Sequence, residues 1–334
     1  MVELSMIRLR AAVTASIRHY LSRTGYLEVE TPRLAPTPIP ESHIELFKTT
    51  LRQPGSQERE LYLLPSPEYW LKRLVAAGSG NIFEIARAFR NLEERGPYHR
   101  PEFTMLEFYT MEADSADSIA ITEELLRTAA AEIEEGLIDP GIRESLGESD
   151  PYPVLTMSEA FHRYAEVDLE ENLTSEAISR TARRRGLGVS EEESWEDLFQ
   201  RLFLTFVEPE LPTERPLFLT HYPAAIPTLS RQIPGTPWAD RWELYFRGQE
   251  VANCYGEETD PERIATFMAD EAAKKQAHGW MPHPVDAGYL QRAGERLPSC
   301  SGVALGVDRL IMVLASESSL DGVFYFPISD IVGK

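Results

Sequence analysis

Between Met6 and Thr24 the apolar residues Leu9, Val13, Ile17 and Tyr20/Leu21 recur at the spacing of one helical face, and Gly25 is a natural stop. Tyr26-Leu27-Glu28-Val29-Glu30-Thr31-Pro32 then reads as an extended segment closed by proline, and the stretch to Pro40 is a proline-rich loop. Ser66-Pro67 opens a second helix, with serine as cap and proline at the first helical position, ending near Gly78. Two alternating segments, Ile82 to Arg90 and Phe103 to Thr110, predict strands; the charged loop from Asn91 to Arg100 makes them an antiparallel hairpin. Residues from about 114 to 215 are acidic and helical, with few chemically distinctive side chains, and predict a mainly helical insertion. Strand character returns at Leu217–His221 and Trp242–Tyr255. A helix follows, with Asp260 as cap, Pro261 at its first position and Gly279 beyond its end. A glycine-punctuated strand, Ser301–Val307, leads into a helix from Asp308. This succession predicts an α+β fold, an antiparallel sheet flanked by helices, in one domain over residues 1–334.

Three stretches put polar chemistry where an ordinary core would be apolar. Along Phe103-Thr104-Met105-Leu106-Glu107-Phe108-Tyr109, alternation places Phe103, Met105, Glu107 and Tyr109 on one face. A carboxylate and a phenol beside apolar groups are costly unless something binds them, and a pocket for an amine explains both. Arg90, at the end of the partner strand, can reach the same place. In Trp242 to Asn253 the pair Arg247-Gly248 forms a two-residue hairpin turn, with glycine at positive φ. In that register Glu243 opposes Ala252 and has Glu250 as its diagonal neighbour, roughly 7–8 Å away. Two such carboxylates repel unless a cation lies between them, and Mg²⁺ binds through one or two carboxylates plus substrate phosphates. Third, Arg309 follows Gly302-Val303-Ala304-Leu305-Gly306-Val307-Asp308 near the start of an apolar helix. A cation there opposes the helix dipole and should face an anion.

Composition narrows the picture. Hydrophobic residues make up 43% and charged residues 26%, ordinary for a globular protein. No run of about 18 apolar residues occurs, so no membrane span is expected. The N-terminus lacks the apolar core of a secretory signal, and two cysteines, Cys254 and Cys300, exclude a disulfide framework; both fit a reducing cytoplasm. The formal charge of −21 argues against a broad nucleic-acid surface, which works by neutralising phosphates with Lys and Arg. The run Arg183-Arg184-Arg185 reads as a solvated helix face.

Taken in order, these stretches resemble the signature motifs of class II aminoacyl-tRNA synthetases. Leu27 to Pro32 is similar to motif 1, whose proline sits at a dimer interface. Phe89-Arg90-Asn91 and Pro101-Glu102-Phe103-Thr104-Met105-Leu106-Glu107 are similar to the two halves of motif 2, and Gly306-Val307-Asp308-Arg309-Leu310 to motif 3. Ser66-Pro67-Glu68, Glu107-Phe108-Tyr109, and Glu250-Val251-Ala252-Asn253 with Glu257 point to the lysine-specific subfamily. One helix precedes motif 1, where lysyl-tRNA synthetases carry an anticodon-binding barrel. The chain therefore resembles the elongation factor P–lysine ligases, the freestanding paralogs of those synthetases, with Ala304 where true lysyl-tRNA synthetases usually have glycine.

That resemblance implies ATP-dependent adenylation of (R)-β-lysine, or less well lysine, and transfer to a lysine of elongation factor P, with no tRNA as acceptor. It implies a homodimer, Mg²⁺, and specific roles. Arg90 and Arg309 would clamp the phosphates and stabilise the pentavalent α-phosphate. Asn91, Glu93, His99, Arg100, Leu244 and Gly306 would complete the nucleotide site, Glu93 as the motif 2 acid near adenine. Glu243 and Glu250 would hold Mg²⁺. Ser66 and Glu68 would meet the amino acid near its reacting end. Glu107, Tyr109 and Glu257 would bind the distal ammonium and Asn253 the carboxylate, with Glu250 and Ala304 also lining the pocket. The sequence departs from the family at two places: Leu92 is an additional residue in the motif 2 loop, and Arg100 stands where the family has asparagine. The same residues would equally serve a ligase with another acceptor, a minimal lysyl-tRNA synthetase or an enzyme acting on a small-molecule amine. A synthetase-like regulatory protein without catalysis has no physical reason to keep Arg90, Glu243, Glu250 and Arg309 together.

Overall fold

The computed structural model describes residues 4–92, 96–277, 279–286, 288, 297–326 and 330. Its helices are α1 (Leu4–Arg23), α2 (Glu68–Ala76), α3 (Ser115–Glu132), α4 (Pro140–Gly147), α5 (Met157–Ala160), α6 (Ser175–Arg184), α7 (Trp195–Leu202), α8 (Pro261–Ala277) and α9 (Val307–Leu314). Its strands are β1 (Leu27–Glu28), β2 (Leu34–Ala35), β3 (Lys48–Leu51), β4 (Arg59–Leu63), β5 (Ile82–Phe89), β6 (Glu102–Met111), β7 (Val154–Thr156), β8 (Leu217–Thr220), β9 (Arg241–Phe246), β10 (Gln249–Gly256) and β11 (Cys300–Gly306). Eight strands form one sheet in the order β1-β5-β6-β11-β10-β9-β8-β7; β2, β4 and β3 form a small second sheet. The large sheet is antiparallel from β5 to β8, with a parallel pair at each edge, β1 with β5 and β7 with β8.

The helical face predicted in α1 is the buried one: Leu9, Val13, Ile17 and Leu21 are sequestered. They belong to a core that continues through Phe83, Leu106, Phe108, Val303 and Leu305 on one side of the sheet and through the apolar helix α9. Burying that side leaves the opposite side, one residue out of phase along each strand, free to carry polar groups.

The stretch expected as a mainly helical insertion with connecting helices contributes to two cores. Helices α3 and α4 contribute Leu125, Leu126, Ile142 and Leu146 to the main core. Residues from Leu155 to Leu211 build a second core of their own, in which Phe161, Phe199 and Phe203 stack, with centroids 5.0 Å apart for the first pair and 6.3 Å for the second. Within this mainly helical region Val154–Thr156 joins the sheet edge beside β8, where its backbone finds partners. The second core closes over Leu217, Leu219 and Tyr245, on the polar side of the sheet, and so walls one end of the site.

Candidate active site

Cross-strand register decides which side chains meet. One row runs across five strands as Glu84, Glu107, Ala304, Asn253 and Glu243; the next is Ile82, Tyr109, Gly302, Tyr255 and Arg241. The β5–β6 hairpin forms as predicted. The β9–β10 hairpin corrects one expectation. Arg247 and Gly248 do make the turn, both with positive φ, 54° and 73°, as a type I′ turn requires. Glu250 then opposes Tyr245, but Glu243 opposes Asn253 rather than Ala252, because the register shifts by one residue between Glu250 and Ala252. That bulge lets Val251 and Ala252 both enter the core and puts Glu250 and Asn253 on the same face. A regular strand would have sent them to opposite faces.

Two cavities open along this face. The larger, about 510 Å³, is lined by His99, Glu243, Glu250 and Arg309 from the sheet side and by Phe199, Phe203 and Glu208 from the second core. Arg309, in the first turn of α9, donates from Nη1 to the Glu250 carbonyl at 2.9 Å, and its Nη2 lies 3.2 Å from His99 Nε2. Its Nη1 is 3.7 Å from the Glu250 carboxylate. Glu243 Oε2 accepts from Tyr222 at 2.6 Å and from Tyr245 at 3.0 Å, while Oε1 pairs with Arg241. Arg241 is held between two rings, 4.4 Å from the Tyr222 centroid and 5.4 Å from that of Tyr255. Burial, and next the charge of Glu243, push the Glu250 carboxyl up to about 7.

Among the described residues no group of three or more His, Cys, Asp or Glu side chains is arranged to hold a metal ion. The pair Glu243 and Glu250 nonetheless fits a magnesium ion that arrives with a nucleotide, because two carboxylates leave most of its coordination to phosphate oxygens and water.

The smaller cavity, about 120 Å³, is lined by Ser66, Glu68, Arg90, Met105, Glu107, Tyr109, Asn253, Glu257, Ala304 and also by Glu41, Tyr255, Gly302 and Val303. The Arg90 guanidinium in this lining is 5.2 Å from the Phe103 ring centroid. Tyr109 donates to Glu107 Oε1 at 2.6 Å. Glu107 Oε2 and Asn253 Oδ1 are buried without a hydrogen-bond partner. Burial drives the Glu107 carboxyl well above its usual range, with the neighbouring Glu68 charge adding to it, and pushes Glu257 up to about 7. Glycine at 302 leaves the space: a methyl group there would come within 2.7 Å of the Tyr109 ring.

Several expected residues are not brought together with these groups. Arg100 turns away from the nucleotide cavity; it donates to the Gly96 carbonyl at 3.1 Å, pairs with Asp321, and lines a separate cavity with Arg10, Arg87 and Phe324. Leu244 is fully buried in the main core on the opposite face of β9 from Glu243, so only its main chain faces a nucleotide. Asn91 accepts from the Leu92 amide at 3.0 Å, with Leu92 itself exposed at φ 52°. Glu93 lies outside the described residues.

Three residues of the site carry no expectation from the sequence. Lys72, 2% exposed, reaches Glu68 at 2.6 Å and Glu257 at 2.7 Å. Its position four residues after Glu68 on one helix face was a legible signal. Arg241, two residues before Glu243 on the same strand face, was legible by the same alternation. Glu41 sits in a proline-rich loop with no periodicity to mark it.

A family model described as tRNA synthetases class II (D, K and N) matches residues 3–330. An elongation factor P–(R)-β-lysine ligase of Erwinia tasmaniensis is 36% identical over 323 residues, 96% of this chain and 94% of that protein. Proteins of the same name from Salmonella paratyphi B and Salmonella schwarzengrund are each 36% identical over 324 residues, again 96% of this chain and 94% of theirs. With this likeness over nearly its whole length, the chain belongs to the class II tRNA synthetase family, in the branch of the elongation factor P–(R)-β-lysine ligases.

Proposed function

We propose that the protein joins a lysine-like diamino acid, (R)-β-lysine before lysine, to ATP as an aminoacyl-adenylate and passes it to a lysine amine of elongation factor P. The observation that carries this reading is the row Glu107, Ala304, Asn253 and Glu243, which links an acid-lined amine pocket to the carboxylate pair of the larger cavity without a break. In the first step the substrate carboxylate attacks the α-phosphorus and pyrophosphate leaves. Arg90 and Arg309 hold the charge that builds on the phosphorus oxygens, and Asn253 orients the attacking carboxylate. Glu107, Tyr109 and Glu257 fix the far ammonium, so the reactive end is positioned by binding at the other end. Glu243 and Glu250 would hold Mg²⁺, which supplies charge neutralisation at the phosphates. In the second step the acceptor amine attacks the mixed-anhydride carbonyl, loses its proton, and AMP leaves. No protein nucleophile is required.

The charge of −21 supports a protein rather than a tRNA acceptor. The two cysteines are free and buried, and among the described residues no helix is long and apolar enough to cross a membrane; both suit work in the cytoplasm. A homodimer would form through Leu27–Pro32: β1 is the edge strand of the large sheet and leaves Leu27 59% exposed. The test is amino-acid-dependent exchange of labelled pyrophosphate into ATP. β-Lysine or lysine should support it with Mg²⁺ and no acceptor; exchange that no lysine-like amino acid supports would refute the reading.

A further inference from the structure

The acid count of the smaller cavity exceeds what a single distal ammonium requires. Four carboxylates line it: Glu41, Glu68, Glu107 and Glu257. Lys72 contacts Glu68 and Glu257. Among the described residues, Glu41 and Glu107 make no salt-bridge contact, and Glu107, 3% exposed, keeps Oε2 buried without a hydrogen bond. Two carboxylates without an ion-pair contact in one cavity favour a ligand that brings positive charge, because an uncompensated charge removed from water is costly.

The two acids have different neighbours. Glu107 interacts with Tyr109, Glu68, Lys72 and Glu257. Glu41 lines the same cavity beside Arg90 and Glu68, and the charges that act most on it are those two. The loop that carries Glu41 is also fixed from both sides. The Ser42 amide donates to Glu271 of α8 at 2.8 Å, the Asn91 amide donates to the Glu45 carbonyl at 2.8 Å, and Lys275 donates to the Ile44 carbonyl. An acid on a pinned loop is a binding group already in place.

We propose that Glu41 is a specificity-determining residue: its carboxylate, with Glu68, receives the ammonium nearest the reacting carboxylate, so the cavity selects diamino acids over acids that carry only the distal amine. The inference rests on the reading of the chain as a lysine-activating ligase and adds the group that reads the second amine. Burial pushes the Glu41 carboxyl up to about 7, and an ammonium placed beside it would favour its charged form.

The test compares β-lysine and lysine with 6-aminohexanoic acid, which keeps the chain and the distal amine but lacks the other one. Each is measured in pyrophosphate exchange, or as a competitive inhibitor where it does not react, with wild type, Glu41→Gln and Glu41→Asp. Glu41→Gln should raise the KM of β-lysine and lysine roughly ten- to a hundredfold, the scale of losing a hydrogen bond to a charged group. It should leave the 6-aminohexanoate constant and the ATP KM within about twofold, and Glu41→Asp should recover part of the loss. Equal weakening of all three compounds would reassign Glu41 to loop structure, and no change in any would remove it from the site. A wild-type protein that activates none of them would overturn the ligase reading itself, a result separate from either outcome for the variant.

Discussion

The two ends of the active-site face solve opposite electrostatic problems with the same residue type. At the nucleotide end the protein supplies the counter-charges itself. Glu243 is met by Arg241 and two tyrosine hydroxyls, and Arg309 stands against the Glu250 backbone and carboxylate. At the amino-acid end four carboxylates line one cavity, and two of them, Glu68 and Glu257, share Lys72. In the proposed reaction the first end would receive a polyanion with its magnesium, and the second would receive the ammonium groups of a diamine. Arg90 lines the second cavity, and in the proposed reaction the carboxylate and α-phosphate would meet beside it, between a half whose acids are paired and a half whose acids are only partly paired.

This contrast can be broken from either side. The largest effect is expected at the nucleotide end. Arg309→Ala removes a charge stabiliser that is already positioned, and should cut pyrophosphate exchange by about a hundredfold or more with every amino acid tested. Retention of the wild-type rate would exclude Arg309 from the chemistry.

At the amino-acid end the expected signature is pH dependence. Burial holds the Glu257 carboxyl near 7 in the free protein, well above its ordinary range. Below that pH the carboxyl must give up its proton before it can pair with an ammonium; above it the carboxylate is ready. The KM of the amino acid should therefore fall as pH rises from 6 to 8. The change approaches tenfold per unit for each such carboxyl on the acid side of 7, or about 1.4 kcal/mol. Titration calorimetry in buffers of different ionisation heat should show protons released on binding at pH 6. A KM that rises over this range would contradict the assignment.

A smaller effect should separate the ends. Glu243→Gln and Glu250→Gln should each raise the Mg²⁺ concentration for half-maximal exchange several-fold while leaving the amino-acid KM nearly unchanged, since Mg²⁺ uses few protein carboxylates. The Glu250 carboxyl also titrates near 7, so in wild type the Mg²⁺ requirement should ease as pH rises through that value. Glu250→Gln should flatten this trend and keep the pH dependence of the amino-acid KM. Variants that titrate with Mg²⁺ like wild type would remove the pair as a metal site.

How far the sequence showed all this follows from which forces are local. The alternation that puts Glu107 and Tyr109 together belongs to one strand, and the turn at Arg247-Gly248 to two residues; both were legible. The face shared by Glu250 and Asn253 depends on a bulge at Val251, set by packing of two consecutive residues into the core, and no pattern within the strand announces it. Arg100 was placed with the nucleotide by its position in the motif, but its partner Asp321 lies 221 residues away and draws it to another cavity. Glu41 was invisible for the same reason: a long-range clamp from α8 puts a loop acid into the site.

The central claim is that the activated amino acid goes to a protein amine. The most direct measurement is intact mass of elongation factor P after incubation with this protein, ATP, Mg²⁺ and β-lysine, beside a charging assay on tRNA-Lys under the same conditions. The account predicts one β-lysyl addition on a single lysine of elongation factor P, dependent on ATP, and little charged tRNA. Efficient charging of tRNA-Lys with elongation factor P left at its original mass would contradict it.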